Sequence, residues 1–140
     1  MNVVKTGIYN LFTATSGSPA VHNSFYLGVG GRLYYDKAPQ DVSFPYAVWG
    51  IITDTDSINF SSDKNEFVIQ FDIFSDTATS EEIGNLQVYL KSLYHKSSPS
   101  ITGYRVVHIR RTNSRGPFRD LDYEWWLYQA RFILKIEPSS

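Results

Sequence analysis

Three histidines, His22, His95 and His108, are the first residues to weigh for acid–base or metal chemistry. None pairs with another in an H-E-x-x-H turn or at any other ligand spacing. They fall in a predicted loop, at a helix end and in a strand, and the pattern predicts structural or surface roles. His95, near a helix C-terminus, gains from the negative end of the dipole when charged. A serine nucleophile would want a G-x-S-x-G elbow, which is absent. The run Gly28-Val29-Gly30-Gly31 precedes a strand, not a helix, and lacks the Lys-Ser/Thr of a phosphate loop, so it reads as turn chemistry.

Asp54-Thr55-Asp56 invites a calcium reading, but a loop opening at Asp54 would need an oxygen ligand, Gly and Glu where the chain has Ile58, Asn59 and Asn65. Glu81-Glu82 are adjacent helical residues that point apart, and a capping role accounts for them. With no cysteine, disulfides and thiolate metal sites are excluded. No catalytic, cofactor or metal site is predicted.

Charge carries more information than any of these motifs. From Thr53 to Leu86 there are eight acids, including Asp54, Asp56, Asp63 and Glu66, against the single base Lys64. From Ile101 to Arg119 come five arginines, Arg105, Arg110, Arg111, Arg115 and Arg119, and no acid. Three arrangements fit. The basic stretch tracks phosphates, with Tyr104 or Phe118 stacking on bases. Alternatively the two stretches meet across a head-to-tail contact between identical copies, which closes into a ring if the rotation allows. In the third they pair inside one subunit as neighbouring strands. The formal net charge of −1 gives no global pull toward nucleic acid or anionic membrane.

The elements that must position these residues follow from length and periodicity. A chain of 140 residues fits one domain over 1–140. Its start lacks the apolar run of a signal peptide, which predicts a soluble protein made in a cytoplasm. Aromatic content of 16% tilts toward strands and interfaces. Val4, Ile8, Leu11 and Phe12 predict a helix over about 3–15. Residues 21–31 read as loop. Strands are predicted over 32–35, over 46–53 with burial on both faces, and over 66–74, where Phe67, Ile69, Phe71 and Ile73 share one side.

Residues 54–65 read as a polar loop. Thr79 and Glu82 predict a capping box opening a helix through about His95, with Ile83, Leu86, Leu90 and Leu93 as its stripe. A strand over 104–111 carries Tyr104, Val106 and His108 on one face and Val107 and Ile109 on the other. A turn over 113–117 then leads to a last strand over about 122–137. The order α-β-β-β-α-β-β predicts an α+β fold, a single mostly antiparallel or mixed sheet with two helices on one face.

The run Gly30-Gly31-Arg32-Leu33-Tyr34-Tyr35-Asp36-Lys37-Ala38-Pro39-Gln40, then Phe44-Pro45-Tyr46-Ala47-Val48-Trp49, resembles the tail-completion family of long-tailed bacteriophages. Members show a GGR-[IL]-Y strand, an APQ turn and a PY-V strand. An alternating strand, here Val68 to Phe74, and a capped helix, here Thr79 to Leu93, follow. The resemblance departs over 21–27 and in the Arg-rich 110–119.

It implies a non-enzymatic protein of the virion, assembled in the host cytoplasm. Such a protein forms a hexameric ring of itself at the head-proximal end of the tail tube, where it stops the tube protein polymerising and docks the head connector or head-completion protein. DNA would pass through the lumen without specific binding, with no membrane and no cofactor involved. The arginines, with Asp54, Asp56, Asp63 and Glu66, would then lie at subunit or connector contacts.

Overall fold

A computed structural model describes residues 2–54, 65–120, 122 and 124–139. The first helix, α1 (Asn2–Thr13), buries Val4, Ile8 and Phe12, spaced four apart on one stripe. A two-stranded antiparallel ribbon follows, β1 (Thr15–Ser16) with β2 (Val21–His22). Residues 21–31, expected as loop, also hold a short helix, α2 (Ser24–Gly28). The Asn23 side chain caps it, accepting from the Tyr26 amide at 2.9 Å while its own amide donates to the Phe12 carbonyl at 2.8 Å. Five residues are too few for a periodic signal, so only the cap could have revealed the helix.

The glycine run turns the chain, as expected. Gly30 and Gly31 adopt φ of 61° and 75°, and a Cβ on Gly28 would stand 2.5 Å from Leu86. The next strands are β3 (Leu33–Tyr35), β4 (Tyr46–Asp54) and β5 (Asn65–Ser75). Helix α3 (Glu81–Tyr94) comes next, then β6 (Tyr104–Asp120) and β7 (Trp125–Pro138). The main sheet has the order β3-β4-β5-β7-β6, with β3 parallel to β4 and every other pairing antiparallel. Apart from the ribbon and α2, the predicted order and mixed sheet stand.

All helices contribute to one core on one side of the sheet. Phe67, Ile69, Phe71 and Ile73 are buried there, as their alternation predicts, and meet the even positions Tyr128 to Ile136 of β7. Phe71 lies 4.8 Å from the Tyr94 ring and 5.6 Å from Phe132. Burial on both faces of β4 occurs only at its start, where Tyr46 is buried on the open face against Phe74. Ala47 and Trp49 are buried under helices, Val48 and Gly50 are half-buried on the open face, and Ile52 is exposed beyond a register shift.

The family-like motif has a structural reason. The Arg32 guanidinium donates to the carbonyls of Pro45 (3.0 Å) and Phe44 (3.4 Å), tying the start of β3 to the turn that opens β4. No helix among the described residues is long and apolar enough to cross a membrane.

Candidate assembly interface

Strand β6 is the long free edge of the sheet, and it carries all five arginines. The predicted turn over 113–117 is strand instead, and β6 continues to Asp120 before β7 opens at Trp125. Gly116 and Pro117 fall where the register shifts between Arg115 and Phe118. An edge strand tolerates the missing proline N–H at such a bulge. Arg115 and Arg119 therefore sit on a strand, not in a loop. A second shift, between Val106 and His108, corrects the predicted faces. Tyr104, Val106 and Ile109 all turn to the core, Val107 is exposed, and His108 opposes Lys135 on the open face.

The five arginines divide into two kinds. Arg105 forms an ion pair with Glu137 of β7. Arg111 lies on the helix side opposite Phe132, where its Nη1 donates to the hydroxyl of buried Tyr128 at 3.2 Å. Arg110, Arg115 and Arg119 are exposed and have no carboxylate partner among the described residues. Arg115 lies 5.6 Å from the ring of Phe118, itself 43% exposed, and Arg119 lies 5.7 Å from that of Trp126.

Of the acidic candidates, Asp56 and Asp63 lie outside the described residues with most of the 54–65 loop, and Asp54 ends β4. Glu66 is half-buried on β5, opposite Lys135. The acidic strand β5 and the basic strand β6 are not neighbours, because β7 lies between them. Two strand spacings, roughly 10 Å, separate their backbones. Pairing as neighbouring strands is therefore not what balances the basic edge.

Two further features escape the sequence reading. On the open face, Arg131 Nε donates to Gln70 Oε1 (2.9 Å) and Gln70 Nε2 to Asp72 Oδ1 (3.0 Å). Burial pushes the Asp72 carboxyl above its ordinary range, against hydrogen bonds from Gln70 and Gln129 and the charge of Arg131. Beside this group, Phe44, Tyr46, Phe74 and Trp125 pack with ring centroids 4.8–5.9 Å apart, Tyr46 stacked on Phe74 and the other pairs tilted or edge-on.

The second feature is a basic groove between the last turns of α3 and β6, lined by Gln87, Val88, Lys91, Ser92, His95 and Arg111. His95 accepts the Arg111 amide at Nδ1 (3.0 Å). Desolvation lowers its pKa, as do the charges of Lys91, Lys96 and Arg111. The expected gain from the helix dipole is therefore outweighed by desolvation together with three cations. A signal for this groove existed, since no acid occurs between Glu82 and Asp120.

The capping box does not form. Ser80 is the N-cap without a side-chain bond, and Thr79 Oγ1 meets only the Glu81 amide at 3.5 Å. Glu82 instead accepts from the buried Ser75 hydroxyl at 2.7 Å, which joins the end of β5 to α3. The three histidines lie on the ribbon, at the C-cap of α3 and on β6. No group of three or more His, Cys, Asp or Glu among the described residues is placed to hold a metal ion.

The fold recurs in a chain of the "virion of native gene transfer agent (GTA) particle", with TM-score 0.70 and 12% identity over 81% of this chain and 84% of that one. A second solved structure, 8% identical with TM-score 0.59, covers 99% of this chain and 95% of its own. No curated protein sequence matches the chain. The chain belongs to the family of tail completion protein gp17, which matches residues 10–134. It is a structural protein of the phage tail and not an enzyme.

Proposed function

We propose that this chain, folded as one domain over 1–140, assembles with copies of itself into a closed ring, a hexamer, at the head-proximal end of the tail tube. There it ends tube polymerisation and joins the tail to the head connector, in a virion assembled in the host cytoplasm. Family membership supports the tail role, and the likeness to a chain of a gene transfer agent virion is consistent with it.

The observation that carries the ring is the free basic edge. Arg110, Arg115 and Arg119 project from β6 without a carboxylate partner among the described residues, while the exposed acids Asp76 and Glu81 lie between β5 and α3 and at the first residue of α3. A head-to-tail contact matches unlike surfaces of identical copies, and a closing rotation yields a ring. Charge complementarity sets register and pairing rate there more than affinity. The test is Arg110→Glu with Arg115→Glu, imaged by negative stain beside wild type. Loss of rings with an unchanged circular dichroism spectrum supports the reading, and normal rings from the double variant refute it.

A nucleic-acid-binding role has one favouring observation, the exposed Phe118 ring between Arg115 and Arg119. It requires salt-dependent binding of DNA, with a slope set by the phosphates neutralised. No gel shift at low salt removes it.

A further inference from the structure

Helix α3 carries opposite charges at its two ends. At the start Glu81 is exposed, as is Asp76 in the segment that leads in from β5, while Glu82 is already engaged by Ser75. At the other end, Lys91, His95 and Arg111 converge on the groove against β6. A helix of 14 residues separates these ends by about 21 Å, so one copy cannot bring its own acids into its own groove.

We infer that this groove receives Glu81, at the start of α3, and Asp76, in the segment between β5 and α3, from a second copy of the chain. The inference rests on the ring reading above and gives it a specific contact.

Three observations support this occupant. The groove's donors are preset. The Arg111 amide bonded to His95 Nδ1 fixes the neutral tautomer with its proton on Nε2, and Tyr128 holds one arm of the Arg111 guanidinium. The cations that face the ring, Lys91 and Lys96 from its own segment and Arg111 from β6, form no ion pair with a carboxylate among the described residues. They are therefore open to a carboxylate from another copy. The surroundings also suit a protein partner better than a phosphate backbone. Val88 on the rim is 58% exposed, and on the acidic side Tyr89, which lines a cleft with Glu81, is 37% exposed. Exposed apolar surface beside complementary charge marks protein contacts.

The test begins with equal amounts of ¹⁴N- and ¹⁵N-labelled full chain, assembled and treated with a carbodiimide, which joins only amine and carboxylate in direct contact. Peptide mass spectrometry should find isotopically mixed Lys91–Glu81 or Lys91–Asp76 links. Sedimentation of Lys91→Glu and of Glu81→Lys should each show association weakened about tenfold or more. The double variant, with both signs exchanged, should regain wild-type association. Both positions are exposed, and an unchanged melting temperature certifies the fold.

Rings that form normally from both single variants, without mixed links at Lys91, overturn this inference and leave the ring reading intact. Wild-type chain that never self-associates, in solution or on tube ends, overturns both. A low-salt DNA shift lost in Lys91→Glu, without mixed links, makes phosphate the occupant and also overturns it.

Discussion

Arg110 and Arg111 are neighbours in sequence with opposite tasks, and reversing each charge separately tests that division. Arg110 is exposed on the edge strand without an ion-pair partner among the described residues. Arg110→Glu should change folding stability by no more than about 0.5 kcal/mol, as is usual for surface sites without special contacts. In a head-to-tail ring the same change appears at every contact. A loss of about 1.4 kcal/mol per contact lowers each association constant about tenfold, and closure compounds the effect.

Arg111→Glu, unlike Arg110→Glu, should lower folding stability. It removes the donor to the hydroxyl of Tyr128, whose side chain is fully buried, and places a carboxylate opposite Phe132. A lost hydrogen bond to a charged group is worth about 1.5–3 kcal/mol, and the desolvated acid adds to it. For a domain this size, a total of about 2–4 kcal/mol lowers the melting temperature by roughly 6–15 °C. Urea and thermal unfolding read the first quantity, and sedimentation velocity at matched concentration reads the second. Wild-type assembly by Arg110→Glu, or wild-type stability in Arg111→Glu, would refute the assignment.

Three further changes probe the scaffold. The Tyr94 hydroxyl donates to the Ile8 carbonyl at 2.9 Å in the core, and burial keeps it protonated by raising its pKa far above the ordinary value. Tyr94→Phe should cost about 1 kcal/mol in urea unfolding. His95 has a folded pKa below its unfolded value, so its stabilisation is present above about pH 6.5 and lost as pH falls through the folded pKa. His95→Asn keeps an acceptor for the Arg111 amide and should flatten stability between pH 7.5 and 5 relative to wild type; parallel slopes in the two proteins would contradict this. Asp72 has a raised pKa, so its contribution is present below about pH 4 and lost as pH rises through the folded value. Asp72→Asn should therefore gain on wild type between pH 4 and pH 7 in paired urea curves.

Legibility in the sequence followed how local each signal was. Strand β5 read correctly because it is central and covered on one side, so that Phe67 to Ile73 alternate with polar neighbours. Strand β6 was cut short because Gly116-Pro117 looks like a turn. Only its place at the sheet edge, visible through pairing with β7, lets a bulge absorb that proline.

The capping box failed for a related reason. Glu82 has a competing partner in Ser75, seven residues back on another element. Charge segregation along the chain pointed to the right surface. Which arginines are free did not show, because Glu137 and Tyr128, which occupy two of them, lie on β7. That β7 separates the acidic and basic strands is a matter of sheet order, which follows from long-range pairing rather than from either stretch.

The central claim is a ring, and native mass spectrometry of the full chain over a rising concentration series, repeated with isolated tail tubes, tests it most directly. A closed six-copy species, free or bound to tube ends, is the predicted result. A chain that remains monomeric in both settings would contradict it.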